Sequence, residues 1–242
     1  MKNNEQPVPV IAIDGPSGSG KGVITQRLAE LTGFHILDSG ALYRLVGLAA
    51  ERKGVAVTDI AGLADLARNL DVSFQPTGNP EEPLKILLEG TDVTRELRTD
   101  ETGVLASRVS PIPEVREGVM ALQHSFRNAP GLVADGRDMG TVVFQDAGVK
   151  IYLTASAESR AERRYKQLKS KGIDASLHDL FDSIKARDER DMTRKVAPLK
   201  PAEDALIIDS TELDIDQVFA MVLAEIEKKM GRIWETSGKD GR

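Results

Sequence analysis

Short apolar runs separated by segments of helical periodicity set the rhythm of this chain. Residues 10–13 (VIAI), 34–37 (FHIL), 132–134 (LVA), 149–153 (VKIYL) and 205–208 (ALII) have the length and composition of buried strands. Between them Ile24, Leu28 and Leu31, and later Val218, Val222 and Ile226, recur at spacings of three and four, so each set shares one helical face. Strands alternating with helices imply a mostly parallel sheet covered on both faces, a doubly wound α/β fold of about five strands.

Two stretches break that rhythm. From 63 to 103 the helical LADLARNL gives way to Val72 and Phe74 alternating with Ser73 and Gln75, then to PTGNPEEP and LKILLEGTDV. This predicts a small antiparallel β subdomain inserted into the main fold, with Pro and Gly at its turns. From 158 to 200 the chain is polar and dense in charge, which predicts two helices joined by a loop near residues 171–174. The remaining segments, 8–62, 104–157 and 201–230, are expected to form the core. The polar ends, 1–7 and 231–242, are expected to fray, with Trp234 able to dock on the body.

Composition narrows the class. A chain of 242 residues, 40% hydrophobic and 29% charged, is long enough for one large domain or a core with an insertion. A net charge of −6 argues against nucleic acid or an anionic membrane as partner, since such binders carry a basic field. The absence of cysteine excludes disulfides, thiolate zinc sites and a cysteine nucleophile. The start, MKNNEQPVPV, lacks the basic and apolar regions of a signal peptide, and no apolar run approaches the ~18 residues of a membrane span. A cytoplasmic, monomeric protein is expected.

The strongest chemical signal is Gly15-Pro16-Ser17-Gly18-Ser19-Gly20-Lys21-Gly22, placed after the first strand and opening a helix, with Val23 following. Glycines let successive backbone N–H groups converge on a phosphate, the helix N-terminus adds its dipole, and Lys21 supplies a point charge to the β and γ phosphates. This P-loop places Gly22 where many such loops carry a Ser or Thr that holds Mg²⁺. Magnesium is therefore expected to be held by nucleotide phosphates and water, with no protein ligand assigned. No NKxD guanine-reading motif occurs.

In open α/β sheets ligands lie beyond the carboxyl ends of the strands. After the second strand stands Asp38-Ser39-Gly40-Ala41-Leu42-Tyr43-Arg44, and after the third Asp135-Gly136-Arg137-Asp138-Met139-Gly140. Each sets carboxylates or a hydroxyl beside an arginine, able to clamp a phosphate while hydrogen-bonding a base or sugar. The structural alternatives are a helix cap at Asp38 or Ser39 and an ion pair of Arg137 with Asp138. In Arg187-Asp188-Glu189-Arg190-Asp191-Met192-Thr193-Arg194, residues 187, 191 and 194 share a helical face with Arg190 at its edge. Such a run is ordinarily a solvated helix face. Residues 158–200, however, hold 12 Lys and Arg against 8 Asp and Glu, net +4, which leaves the rest of the chain at −10. A basic arm on an acidic body suits phosphoryl transfer, whose transition state spreads negative charge, and favours Arg163, Arg187 and Arg194 as phosphate-facing.

GPSGSGKG, LDSGALYR, LEGTDVTRELRTDETG, ASRVSPIPEVRE, DGRDMGTVVF, RDERDMTR and the following Ala197-Pro198-Leu199 together resemble the bacterial cytidylate kinase family, over about residues 8–230. The resemblance implies a five-stranded core, an enlarged monophosphate-binding part holding the insertion and a helical lid over 158–200. It further implies transfer of a phosphoryl group from ATP to CMP or dCMP with Mg²⁺. Its acceptor residues fall on Ser39, Arg44, Ser107, Arg116, Arg137, Asp138, Arg187, Asp191 and Arg194. Arg44, Arg137 and Arg194 would face the CMP phosphate, Ser107, Arg116 and Asp138 would read cytosine, and Arg187 and Asp191 would lie near the sugar. The chain departs from the family at Val23, where Thr is usual. Lys21, Arg137, Arg163 and Arg194 are the expected catalytic set, acting by direct in-line transfer, with His35, His124 and His178 as bystanders. A different small-molecule kinase on the same core, or a nucleotide-binding regulator without turnover, are the alternatives.

Overall fold

The computed structural model describes residues 7–76, 84–170 and 172–235. The turn PTGNPEEP beyond Pro76, Lys171 of the expected helix-helix loop, and the end residues 1–6 and 236–242 lie outside the described residues.

In chain order the elements are β1 (Val10–Asp14), α1 (Lys21–Thr32), β2 (His35–Asp38), α2 (Ser39–Lys53), α3 (Ile60–Arg68), β3 (Val72–Pro76), β4 (Leu84–Leu88), β5 (Thr91–Asp92), α4 (Asp100–Val109), α5 (Pro113–Ser125), β6 (Leu132–Gly136), β7 (Val149–Thr154), α6 (Ala157–Ser170), α7 (Leu177–Thr193), β8 (Leu206–Asp209) and α8 (Ile215–Met230). A short π-helical turn at Met139–Val143 follows β6. The described residues fall into two compact units, one running to Asp38 and resuming at His124, the other Ser39–Gln123.

The first unit is built on a five-stranded, all-parallel sheet in the order β2-β6-β1-β7-β8, as the alternation of runs predicts. Its inner strands β1, β6 and β7 are nearly all buried because both faces are covered, whereas the edge strands β2 and β8 expose residues such as His35 and Ile207. Ile11, Ile13, Val133, Val149, Ile151, Leu153 and Ile208 pack with Ile24 and Leu28 of α1 and with Val218, Val222 and Ile226 of α8. A capping box of Asp214 and Gln217 starts α8, and Trp234 packs partly buried against this core, as expected. Leu31 departs from expectation, being 39% exposed. The buried stripe of α1 also takes in Lys21, Thr25 and Thr32, which shifts its centre toward polar positions and leaves Leu31 at the rim.

Register decides what stands at the carboxyl edge of this sheet. Asp38 pairs with Asp135, Asp14 with Gly136 and with Tyr152, and Thr154 with Asp209. A one-residue slip would turn every one of these side chains to the opposite face.

The second unit contains the predicted antiparallel sheet, β3-β4-β5, with Val72 opposite Leu88 and Leu88 opposite Thr91. The two-residue turn Glu89-Gly90 has positive φ at both positions, 49° and 76°, the geometry that matches the twist of a tight hairpin. The unit is larger than the 63–103 insertion, because its core is helical: Tyr43, Val46 and Ala50 of α2 pack with Leu63 and Ala67 of α3, Ala106 and Val109 of α4, and Val115 and Val119 of α5. Gly47 and Gly118 permit the close crossings, since a Cβ at either would lie 2.7 Å from Leu105 Cβ or Ala67 Cβ respectively.

Candidate active site

The segment between β1 and α1 has the conformation that its glycines allow. Gly15, Gly18 and Gly20 take φ of 151°, 77° and 98°. A Cβ on residue 15 would sit 1.9 Å from the Leu153 carbonyl oxygen, so only glycine fits there. Ser19 Oγ donates to the Pro16 carbonyl at 3.1 Å, and Lys21 Nζ donates to the same oxygen at 2.8 Å. Val23 is half exposed, beside the loop. A Cβ on Gly22 would stand 3.9 Å from Asp135 Oδ2, an ordinary contact.

Lys21 is buried, and its ammonium lies 4.0 Å from Asp135 Oδ1. Burial, reinforced by the Arg137 guanidinium, pulls Lys21 below the ordinary lysine value. Burial likewise pushes Asp135 up, against the pull of Lys21. Asp14, the last residue of β1, is buried and accepts hydrogen bonds from the Met139 and Gly140 amides, 2.8 Å each. Burial raises its pKa to about 7 despite those two donors.

Helices α6 and α7 are tied to the loop by arginines. Arg160, 3% exposed, donates to the Ser17 carbonyl at 3.0 Å and to the Ala155 carbonyl at 3.0 Å. It also grips Asp188 of α7 through its two terminal guanidinium nitrogens, Nη1 at 3.0 Å from Oδ1 and Nη2 on Oδ2. Such a fork-to-carboxylate pair fixes orientation as well as charge. Arg187 Nη1 reaches Ser17 Oγ at 3.4 Å. Arg163 donates to Ser210 Oγ at 3.2 Å and to the Ser210 carbonyl, while Ser210 Oγ lies 3.3 Å from the Ser19 carbonyl. The arm over 158–200 is thus tied to the phosphate loop directly at Ser17 and, through Ser210, at Ser19.

Beyond β6 the charges pair across the sequence. Arg137 Nε donates to Asp191 Oδ2 at 3.0 Å, and Arg194 Nη2 lies 3.8 Å from Asp138 Oδ1, with Asp138 and Asp191 both buried. The ion pair of Arg137 with Asp138, weighed from sequence, is replaced by these longer-range partners. Arg187 and Asp191 share α7, whereas Arg194 caps it in extended conformation, φ −60° and ψ 139°. The chain turns back at that point: Arg194 Nε donates to the Ala197 carbonyl at 2.6 Å and the Leu199 amide to the Asp191 carbonyl at 2.8 Å. Arg190 is exposed.

The second unit holds the other predicted acceptor residues. Ser39 donates to Gln123 Oε1 at 2.9 Å. Arg44 donates to the Leu97 and Thr99 carbonyls at 2.7 and 2.9 Å, tying α2 to the start of α4. Ser107 bonds back to the Gly103 carbonyl at 3.0 Å. Arg116, 4% exposed, lies 5.7 Å from the Tyr43 ring and 3.4 Å from the Ser110 carbonyl.

A comparison with profiles of known families matches residues 11–228 to that described as Cytidylate kinase. The chain belongs to the cytidylate kinase family. Relatives named cytidylate kinase include proteins of Aeromonas hydrophila, 54% identical over 94% of this chain and 98% of the relative, and of Aeromonas salmonicida, 55% identical over 93% and 97%. One of Pseudomonas fluorescens is 57% identical over 90% and 95%.

In this family member the sequence pattern singles out neither Asp14 nor Arg160, and it names Asp135 and Asp188 only as members of their motifs, with no role of their own. Asp14 and Asp135 stand at strand ends, where the rule for open sheets points, but that Asp135 lies 4.0 Å from the Lys21 ammonium follows only from how α1 packs on the sheet. Asp188 was counted within a solvated charge run, and its partner lies 28 residues away on another helix, beyond any local pattern. No helix among the described residues is long and apolar enough to cross a membrane.

Proposed function

We propose that this cytidylate kinase transfers the γ-phosphoryl group of ATP directly to a phosphate oxygen of CMP or dCMP, giving ADP and CDP or dCDP. The observation that carries the reading is the juxtaposition, at one sheet edge, of the 15–21 loop with the Arg137–Asp191 and Arg194–Asp138 pairs.

The loop amides and Lys21 hold the β and γ phosphates of ATP, as a backbone cradle and one cation do at helix N-termini. Arg137 and Arg194 supply positive charge to the acceptor phosphate by exchanging a carboxylate partner for it, which keeps the desolvated guanidinium compensated throughout. Arg163, engaged with Ser210, and Arg187, on Ser17, bring further cations to the loop, where the moving group gathers charge. The acceptor oxygen is already anionic near neutral pH, so no general base is required. The histidines are occupied elsewhere: His35 meets the Ala129 carbonyl at 3.0 Å, His124 the Val143 carbonyl at 2.9 Å, and His178 stands 3.5 Å from Asp182 on exposed α7 surface. Helices α6 and α7, braced on the loop, are placed to keep water from the γ-phosphoryl.

Magnesium enters as part of the ATP complex. Gly22, in the position after the loop lysine, offers no hydroxyl, which suits an ion that would be held by phosphates and water and would offset phosphate charge. Of the acceptor residues, Ser107, Arg116 and Asp138 are assigned to cytosine, Arg187 and Asp191 to the sugar, Arg44 to the CMP phosphate with Arg137 and Arg194, and Ser39 to a further CMP contact. Coupled measurement of ADP release should show turnover that depends on CMP; ADP release equal with and without CMP would refute phosphoryl transfer to it.

A further inference from the structure

The predicted catalytic machinery gives no role to Asp14, yet this carboxylate is 4% exposed and ends the strand that enters the phosphate loop. A buried carboxylate is costly unless its charge is used. Its two oxygens each accept one amide, Oδ1 from Met139 and Oδ2 from Gly140, at 2.8 Å. These are the first two donors of the π-helical turn that follows Asp138, groups with no partner inside the turn. A Cβ on residue 140 would be in ordinary contact with Asp14 Oδ2, at 3.5 Å, and tight only against the Lys150 stem, 3.1 Å from its Cδ.

We propose that Asp14 is a positioning residue that sets the backbone at 137–140, and through it aims Arg137 and Asp138 at the acceptor nucleotide. The inference rests on the functional reading above for what is aimed. It adds that one residue, adjacent in sequence to Gly15, anchors the acceptor-side turn to the strand carrying the donor loop. Arg137 and Asp138 then meet Asp191 and Arg194 from a turn fixed at its first two amides.

The charge matters because a carboxylate accepts two amides at once, whereas a protonated acid or a carboxamide turns one donor group toward an N–H. The groups around Asp14 are Lys21, which favours its ionised form, Asp138, which opposes it, Tyr152 opposite it in register, and the stem of Lys150, whose ammonium is engaged by Asp204 at 3.0 Å. Its pKa of about 7 lies above the unfolded value, so this group's contribution to stability is fully present below about pH 4 and is lost as pH rises through about 7. The ionised form, which holds both amides, therefore predominates where the fold gains least from Asp14. Such a sign is expected of a residue retained for geometry.

Asp14→Asn tests this. Its KM for CMP should rise about tenfold and its preference for CMP over UMP should shrink, while its KM for ATP stays within about threefold. A folded Asp14→Asn with wild-type KM for CMP and wild-type preference would overturn the proposal. The wild-type chain gives a second readout that needs no turnover: the Met139 and Gly140 amide protons, both bonded to Asp14, should be shifted downfield and protected from hydrogen exchange in nuclear magnetic resonance spectra. Unprotected, unshifted amides would overturn the proposal even if Asp14→Asn failed to fold. Shifted, protected amides in a protein that does not phosphorylate CMP would preserve the anchoring and overturn only the function.

Discussion

The phosphate loop and the stretch 187–199 lie in the same compact unit and serve the same proposed reaction, but they are built on opposite plans. The loop is one contiguous segment whose shape follows from left-handed glycines, a carbonyl approach that forbids a side chain, and a lysine that bonds within the loop. The stretch 187–199 obtains its shape from elsewhere: Asp188 from Arg160, Asp191 from Arg137, and Arg194 from Asp138. Backbone donors in a preset turn need no counter-charge. Buried guanidinium groups do, and here each of those three meets a carboxylate. The net +4 read along 158–200 is thus spread through pairs that reach outside the stretch.

That contrast predicts a ranked set of losses. Lys21→Ala removes the loop's cation and should lower kcat about a hundredfold or more, with a melting profile close to wild type, since its main partner is a carbonyl of the same loop. Wild-type turnover would remove Lys21 from the mechanism. Arg137→Ala should lower kcat less, about ten- to a hundredfold, and should also lower the melting temperature, because Asp191 is left buried without this partner. Equal melting curves for the two variants would erase the distinction between the regions. The smallest effect belongs to Val23→Thr, at a half-exposed position beside the loop. The added hydroxyl should lower the KM for ATP about two- to fivefold, the worth of one hydrogen bond. An unchanged KM would show that the backbone donors and Lys21 suffice.

The same difference explains what could be read from the sequence. The five strands, the antiparallel insertion and the loop were legible because each is encoded by a local pattern: an apolar run, an alternation, a glycine spacing. Helices α6 and α7 were legible as helices, but their bonds were not. Arg137 and Asp191 are 54 positions apart, and Arg160 and Asp188 28 apart, so the first pairing depends on how α7 lies against the turn after β6 and the second on how α6 and α7 pack. Arg194 was placed on the helix because periodicity continued through it. The carbonyl of Ala197 drew it out into a cap. Leu31 was misplaced for a related reason, since polar Lys21, Thr25 and Thr32 are buried on the face that hydrophobicity alone would centre elsewhere.

The central claim is that the acceptor is read as cytidylate, with Asp138 facing the exocyclic amine of cytosine as one of its base contacts. Uracil presents a carbonyl there, and a buried polar contact left unpaired costs about 1–3 kcal/mol, or about five- to a hundredfold. The decisive measurement is kcat/KM for CMP against UMP in one coupled assay of ADP release. The account predicts a preference for CMP of at least about fivefold; equal values for the two nucleotides would contradict it.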